Sequence, residues 1–326
     1  MIVLAGDVGG TNARLATVEL NGHTARIARH NTYPSREYPA FTPIVRRFCE
    51  EIQSRPDRAC FGIACPVVGD DCAAPNLPWT INARQLAAEI EIPRTAIIND
   101  FVAVGYAIEM LEPPDLATLQ EGSPTPQGPI ALIGAGTGLG QGFLLWEGDH
   151  YRVLPSEGGH GDYAPRGELQ TGLLGFLRRR FDRVSWERLL SGAGLVNLYN
   201  YLLASAVSPE QAAVRAEMEK EDPPAVIARH GLARTDGLSD QALNLFCEIL
   251  GAQAGNLALT VIATGGVYLA GGIAPRIVER LKSGPFLTAF RDKGRLSGLL
   301  SRIPVHVIMN PNVGLLGAAA VAARAG

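Results

Sequence analysis

One pattern occurs twice along the chain and limits the folds open to it: an apolar strand, a glycine-rich turn and further strands. In the first half, residues 2–5 form a short apolar run, the turn GDVGGT follows, and residues 12–20 have the alternation of a strand. In the second half, residues 130–133 lead into the turn GAGTGLG, and residues 142–146 continue as a strand. A recurrence of this kind predicts a duplicated unit.

Alternating helices and strands follow the first of these patterns. The dipeptide Asn21-Gly22 is a hairpin turn signal, so residues 23–30 are expected to add a third strand. The segment FTPIVRRFCEEIQ has its apolar residues on one helical face, with Thr42 predicted as the N-cap and Pro43 at the first helical position. We expect strands at residues 59–65 and 96–98, and helices at residues 82–90, capped by Asn82, and 100–111.

The second copy is interrupted by a long helical region. Its predicted elements are a strand at 151–154, helices between 168 and 262, a strand at 268–270, a helix near 278, a strand at 305–309 and a helix at 314–323. Residues 111–129 contain five prolines and are predicted to connect two lobes. The chain is therefore predicted to be an α/β protein of two βββαβαβα lobes, residues 1–110 with 302–326 and residues 111–301. We expect ligands in a cleft between them.

The charge balance argues against a polyanionic partner. Lys and Arg number 29 and Asp and Glu 32, a net charge of −3, so the chain lacks the basic field that binds nucleic acids or anionic membranes. The start MIVLAGDVGG has no basic n-region, and the uncharged stretch 249–275 contains glycines and amides typical of a buried helix, a strand and a turn. We expect a cytoplasmic protein that binds neither nucleic acid nor membrane. The five cysteines include no CxxC pair and are predicted to be reduced, partly buried thiols.

Both glycine-rich turns are candidates for cradling phosphate, because successive backbone N–H groups unobstructed by Cβ atoms can converge on phosphate oxygens. Neither matches a Walker loop, since no Gly-Lys pair occurs, and the glycine spacing of GAGTGLG is not that of a Rossmann fingerprint, which disfavours a dehydrogenase. A tight hairpin without a binding role explains either turn equally well. Asp7 fits the phosphate interpretation if a divalent cation lies between its carboxylate and the phosphate.

Polar groups outside the two turns are further candidates. Asn99 and Asp100 follow a buried strand, where α/β folds present ligand groups, although either could equally N-cap the next helix. The segment 156–162, SEGGHGD, is too poor in apolar residues for a core element, and a surface loop is the alternative. Glu187 lies on a predicted helix and would ordinarily face solvent, and the histidines outside this segment form no cluster.

A series of motifs runs through the chain in order: GDVGGTNARLA at Gly6, FGIACPVVGD at Phe61, IINDFVAV at Ile97, GAGTGLG at Gly134, EGGHGDYAP at Glu157, SWERLLSGAGLVNLY at Ser185 and GGVYLAGGIAPR at Gly265. This series resembles the bacterial ATP-dependent glucokinases, a family with two ribonuclease H-like lobes of the actin-like ATPase and hexokinase fold. The related repressor, kinase and open-reading-frame sugar kinases usually carry a CxCGxxGC zinc motif, which is absent here. Departures at PNLPW, residues 75–79, and at Gly161 leave the sugar selectivity open.

The resemblance implies transfer of a phosphoryl group from ATP to the 6-hydroxyl of D-glucose, which gives glucose 6-phosphate and ADP, the first step of glycolysis. Asp100 is then the general base, and Asp7 faces Mg²⁺ through water. The implied sugar ligands are Asn99, Asp100, Glu157, His160 and Glu187, with Asn76 as a weaker candidate. The implied ATP-binding positions are Gly6, Asp7, Val8, Gly9, Gly10, Thr11 and Asn12, then Gly136, Thr137 and Gly138, and on the adenosine side Gly271 and Gly272.

Two alternatives stay open beside this interpretation. One is a kinase for another hexose or for another phosphoryl donor, such as polyphosphate. The other is a non-catalytic sugar-sensing protein on the same fold, which would keep Glu157 and His160 but could dispense with Asp100. The presence of Asp100 favours the enzyme. The family also suggests a homodimer that uses ATP and Mg²⁺.

Overall fold

The computed structural model describes residues 1–22, 24–53, 56–74 and 77–324. Its residues cluster into two compact units. Unit 1 comprises Met1–Asp115, Glu147–Pro155 and Asn310–Gly326, and unit 2 comprises Leu116–Trp146 and Ser156–Met309. Residues 147–155 belong to unit 1, whereas the division expected from the sequence places them in the second lobe. That division into functional lobes stays a prediction.

Unit 1 is built on a mixed sheet of five strands in the order β3-β2-β1-β4-β8. These strands are β1 (Ile2–Val8), β2 (Asn12–Asn21), β3 (Thr24–Pro34), β4 (Arg58–Ile63) and β8 (Arg94–Asn99). The first three form the predicted antiparallel meander, and β4 and β8 run parallel to β1. Because β1 continues to Val8 rather than ending at Ala5, the first turn is shorter than the GDVGGT motif.

Four helices accompany this sheet in the described part of unit 1. They are α1 (Thr42–Ile52), α2 (Ala83–Ile90), α3 (Asp100–Ala107) and α12 (Val313–Arg324). The apolar face of α1 is buried as its periodicity predicts, and Asn82 caps α2 by accepting a hydrogen bond from the N–H of Gln85 at 3.0 Å. The predicted N-cap of α1 is wrong. Phe41 occupies that position, because the hydroxyl of Thr42 donates instead to the carboxylate of Glu89, at 2.6 Å.

A small three-stranded sheet in unit 1 was not predicted. Its strands are β5 (Val67–Val68), β6 (Asp71–Ala73) and β7 (Thr80–Asn82). The pairing of Val67 with Cys72 folds the chain back on itself, and Cys65 and Cys72 form a disulfide. The prediction of reduced thiols is therefore wrong for this pair, because the hairpin places two cysteines seven residues apart side by side. Cys60 and Cys247 are buried free thiols, and Cys49 is buried as well.

The strands of unit 2 belong to the second sheet and follow one another in the order β11-β10-β13-β14-β9. They are β9 (Leu116–Gln120), β10 (Ile130–Ala135), β11 (Leu139–Trp146), β13 (Gly266–Ala270) and β14 (Val305–Ile308). Strand β12 (Tyr151–Ser156) lies mostly in the Glu147–Pro155 segment of unit 1. Strand β9 lies in the proline-rich segment that was predicted to be a plain connection, and this part of the prediction is wrong. It pairs antiparallel with β14, and the amide of Gln120 donates to the carbonyl of Leu300 at 2.8 Å.

The helices of unit 2 surround its apolar core. They are α4 (Gly167–Leu177), α5 (Gly192–Ala204), α6 (Ala212–Met218), α7 (Pro223–Ala233), α8 (Gly237–Val261), α9 (Val278–Lys282), α10 (Pro285–Arg291) and α11 (Ser297–Leu300). The uncharged stretch 249–275 is the buried second half of α8 followed by β13 and a turn, as predicted. None of the helices within the described ranges has the length and apolarity needed to span a bilayer.

Candidate active site

Asn99 and Asp100 lie at the carboxyl end of β8, where α3 begins. The side-chain oxygen of Asn99 accepts from the N–H groups of Phe101 at 2.9 Å and Val102 at 3.2 Å, so Asn99 is the N-cap of α3. Its amide nitrogen donates to the carbonyl of Cys65 at 3.0 Å. One oxygen of Asp100 also accepts from the N–H of Phe101, at 2.9 Å. The Asp100 carboxylate is therefore held at a capped helix start and is partly buried.

The first glycine turn leaves the same edge of the sheet as Asn99. Val8 pairs with Ile63 and Ile63 pairs with Asn99, so the turn after β1 and the Asn99–Asp100 pair are two strands apart, roughly 10 Å at the usual strand spacing. The turn closes on itself, because the N–H of Gly9 donates to the carbonyl of Asn12 at 2.9 Å. Of the predicted positions, Gly6, Asp7 and Val8 belong to β1, and Gly9, Gly10, Thr11 and Asn12 form the turn and the start of β2.

Two residues that the sequence did not single out hold this turn. The buried hydroxyl of Ser35 donates to the carbonyl of Gly9 at 2.8 Å, and the N–H of Ser35 donates to the carbonyl of Thr11 at 2.9 Å. Arg14 pairs with Asp7 across the β1–β2 ladder, and the two side chains form an ion pair. Asp7 and Arg14 lie on opposite sides of the turn in paired strands. The pairing of an antiparallel hairpin, counted outwards from its turn in the sequence, would have predicted this contact.

The sugar-ligand candidates of unit 2 come together around His160. Its two ring nitrogens lie 3.9 Å from a carboxylate oxygen of Glu157 and 3.9 Å from one of Glu187. His160 ends the 3-10 turn Gly158–His160 after β12, and Glu187 lies in the 3-10 turn Trp186–Arg188. The other oxygen of Glu187 accepts from the N–H of Leu139 at 3.0 Å, which fixes this carboxylate on β11.

The second glycine turn adjoins this cluster. Gly136 donates its N–H to the carbonyl of Gly138 at 2.9 Å, and Thr137 between them is exposed. A Cβ at Gly136 would lie 3.9 Å from the nitrogen of Gly272, so the turns 136–138 and 271–272 lie side by side. Gly271 has φ +81° and packs on the carbonyl of Ala135, where a Cβ would overlap it. Glycine is needed at this position for both reasons.

The predicted site residues thus form two sets, one in each unit. Unit 1 holds Asp7, the first turn and Asn99 with Asp100, and unit 2 holds Glu157, His160, Glu187 and the turns at 136–138 and 271–272. Asn76 lies outside the described residues. No cluster of three or more His, Cys, Asp or Glu side chains suited to a metal ion occurs among the residues that the structure describes.

Comparison with known proteins identifies the family. The family model described as Glucokinase matches residues 4–325. The chain belongs to the glucokinase family. It is 46% identical to the glucokinase of Nostoc sp. (strain PCC 7120) over 99% of both chains, and 42% identical to that of Synechocystis sp. (strain PCC 6803) over 98% of both.

Solved glucokinase structures have the same fold. The glucokinase from an Antarctic psychrotroph superposes with a TM-score of 0.86 at 30% identity and covers 99% of both chains. The glucokinase of Balamuthia mandrillaris in complex with glucose gives 0.77 at 20% identity, over 99% of this chain and 93% of that one. At this identity only the fold is comparable. The predicted α/β architecture of the actin-like ATPase and hexokinase fold is confirmed.

Proposed function

We propose that this member of the glucokinase family transfers the γ-phosphoryl group of ATP to the 6-hydroxyl of D-glucose and releases glucose 6-phosphate and ADP. The observation that carries the proposal is the full-length identity of 42–46% with curated glucokinases. The geometry of both residue sets supports the proposal. Unit 1 presents a carboxylate at a capped helix start, and unit 2 presents a cluster of two carboxylates and an imidazole. Charged groups of this kind form strong hydrogen bonds with the hydroxyl groups of a sugar.

Asp100 is the proposed general base. It removes the proton of the 6-hydroxyl while that oxygen forms its bond to the γ-phosphorus and the bond between this phosphorus and the bridging oxygen of ADP breaks. Phosphoryl transfer passes through a loose transition state, so the protein acts mainly by positioning groups and stabilising charge. The capped start of α3 supports this role, since it orients the Asp100 carboxylate before the sugar binds.

Asn99, Glu157, His160 and Glu187 are the proposed ligands of the remaining hydroxyls. An amide nitrogen has two N–H groups, so Asn99 can keep its bond to Cys65 and donate the second N–H to the sugar. The two glutamates accept hydrogen bonds from hydroxyls, and a site of this kind rejects sugars that leave its polar groups unpaired. Asn76 remains a weaker proposed ligand.

ATP is proposed to bind through the turns at 9–12 and 136–138, with the adenosine side at Gly271 and Gly272. Mg²⁺ usually keeps several waters and binds through one or two carboxylates plus substrate phosphates. The single carboxylate of Asp7 beside the first turn therefore fits a magnesium ion that arrives with ATP. When bound, this ion neutralises charge on the phosphates. Arg14 orients the Asp7 carboxylate that faces it.

The proposed setting is the first step of glycolysis in the cytoplasm, and the proposed assembly is a homodimer. Sedimentation of the purified chain near its mass of 34.6 kDa instead of twice that mass would contradict the dimer. The dimer is independent of the reaction, so this result would leave the proposed activity untouched.

The test of the reaction is glucose 6-phosphate formation from ATP, Mg²⁺ and glucose by wild-type protein and by Asp100→Asn. Because general base catalysis contributes about 10² to 10⁴ in rate, we expect kcat to fall by at least about 100-fold in the variant. Asp182→Asn, at an exposed position in unit 2, is the control and is expected to keep wild-type turnover. Near-normal turnover of Asp100→Asn would remove Asp100 from the role of base.

The same assay with mannose, glucosamine and polyphosphate separates the open alternatives. Faster turnover with another hexose or donor would correct the substrate assignment. If no hexose is phosphorylated but glucose still raises the melting temperature, the protein is a sugar sensor and the enzyme proposal fails.

A further inference from the structure

Gln141 in β11 is buried but incompletely hydrogen-bonded. Its side chain is 2% exposed, and its amide nitrogen has no hydrogen-bond partner among the described residues. The amide of Gln170 is equally buried, but both its oxygen and its nitrogen are hydrogen-bonded. Its oxygen accepts from Tyr163 at 2.8 Å and its nitrogen donates to Glu248 at 2.9 Å. A buried donor without an acceptor costs folding free energy, so the exception at Gln141 needs an explanation.

The Gln141 amide lies directly beneath the segment that carries the sugar-ligand candidates. A Cβ on Gly158 would overlap the side-chain oxygen of Gln141 and would lie 3.0 Å from the hydroxyl of Ser156. A Cβ on the next residue, Gly159, would overlap the carbonyl of Leu139. The segment between Glu157 and His160 therefore rests on β11 at Leu139 and Gln141, with no side chain in between.

Strand β11 also holds the other glutamate of the cluster. The N–H of Leu139 donates to Glu187, two residues before Gln141 on the same strand. One strand thus contacts both sides of the Glu157–His160–Glu187 cluster. On the Glu187 side the contact is a completed hydrogen bond, whereas on the Glu157 side a buried donor is present and its acceptor is missing.

We propose that Gln141 is a positioning residue for the sugar: its amide nitrogen gains an acceptor in the segment Ser156–Gly158 only when glucose binds. This inference rests on the proposed function. The hydrogen bond from Gln141 to this segment forms only in the glucose-bound state, so its free energy adds to the affinity for glucose. Gln141 does not touch the phosphoryl group in this scheme, so it acts on glucose binding and leaves the chemical step unchanged.

The test uses Gln141→Met, which keeps the length of the side chain and removes both polar groups. We expect the melting temperature without ligand to stay equal or rise, because the unpaired donor is gone. The glucose-induced rise in melting temperature is expected to shrink, and the glucose KM to increase about three- to tenfold, as for one lost hydrogen bond. The ATP KM and kcat are expected to stay within about twofold. Gln141→Leu provides the same test if Gln141→Met does not fold.

Gln170→Met is the matched control. Its amide is equally buried but has partners at both ends, so we expect a lower melting temperature without ligand and an unchanged glucose KM. If Gln141→Met instead behaves like this control, Gln141 is a packing residue and the proposal is overturned. Equal changes in the glucose and ATP KM values would indicate general distortion and would also overturn it. Failure of the wild-type protein to bind glucose or phosphorylate any hexose would overturn the proposed function itself, and it is recognised without any variant.

Discussion

At the scale of single residues, Gly138 has two possible reasons to lack a side chain, and they predict different kinetics. As part of the turn at 136–138 it is proposed to approach the phosphates of ATP. In the structure its nearest neighbour is a sugar-ligand candidate, because a Cβ at Gly138 would lie 2.6 Å from a carboxylate oxygen of Glu187. The same oxygen accepts the hydrogen bond from Leu139. Glycine at this position therefore leaves room for Glu187.

The variant Gly138→Ala separates the two reasons. We expect the added methyl group to displace Glu187 from the N–H of Leu139 and to raise the glucose KM by about tenfold or more, as for a lost hydrogen bond to a charged group. Because the same turn is proposed to approach the phosphates, the ATP KM is expected to rise as well in steady-state assays, but by less than the glucose KM. Gly175→Ala in α4 is the control, since a Cβ there meets nothing within 4 Å. A rise confined to the ATP KM would assign Gly138 to the phosphates instead.

The sequence identified the candidate ligands but not the residues that hold them. Asp100, Glu157, His160 and Glu187 lie in motifs, and a motif can be recognised without knowing the fold. Ser35 and Gln141 matter because of the segments that they contact. Ser35, for example, holds the carbonyl of Gly9, which lies 26 residues earlier in the chain. Such contacts depend on how the chain folds back, and no local pattern records them. Gln141 was visible only as a polar residue in the otherwise apolar strand LGQGFLLW.

At the scale of elements, the disulfide links the small sheet of unit 1 to the site. Cys65 is bonded to Cys72, and the carbonyl of Cys65 accepts from the amide of Asn99, the cap of α3. The disulfide therefore restrains the backbone that contacts a proposed sugar ligand. Removal of the disulfide is expected to lower the unfolding free energy substantially and to weaken glucose binding only modestly.

The variant Cys72→Ser tests this link. Because the bridged cysteines are only seven residues apart, we expect a loss of about 2 kcal/mol of unfolding free energy, measured by denaturant titration without reductant. The glucose KM is expected to rise modestly, by about two- to threefold, if the Cys65 carbonyl moves away from Asn99. A dithiol reductant should lower the stability of the wild-type protein by the same amount and leave Cys72→Ser unchanged. A wild-type protein insensitive to reductant would contradict the bridge.

The elements that the sequence predicted well are those with a long, clear period. Helix α1 has four buried apolar residues on one face, and the meander β1–β3 is marked by the Asn21-Gly22 turn. The small sheet was missed because strands of two and three residues are too short to display alternation. Strand β9 was missed because prolines flank it, and its place at the sheet edge depends on pairing with the distant β14.

At the scale of the whole molecule, buried groups with shifted pKa values make stability depend on alkaline pH in two opposite ways. Burial raises the pKa values of Tyr33, Tyr163 and Tyr199 above their usual range. Their contribution to stability is present below the pKa of unfolded tyrosine, near 10, and is lost as pH rises further. Lys293 acts in the other direction, because burial and nearby Arg166 lower its pKa to about 8.

Lys293 gives the sharper prediction. Between about pH 8 and the unfolded lysine pKa near 10.4, the unfolded chain binds a proton that the folded chain does not, so this group makes stability increase with pH in that window. We expect the unfolding free energy of the wild-type protein to rise between pH 8 and pH 10 relative to that of Lys293→Met. The contribution of the tyrosines to the pH dependence cancels in this difference, because both proteins contain them. Lys220→Met, at an exposed position, should run parallel to wild type. The Lys293 ammonium donates to the carbonyl of Ala252 and to the side chain of Asn256. If the unfolding free energies of Lys293→Met and wild type depend on pH in the same way, these two hydrogen bonds keep Lys293 charged despite its burial, and the prediction is wrong.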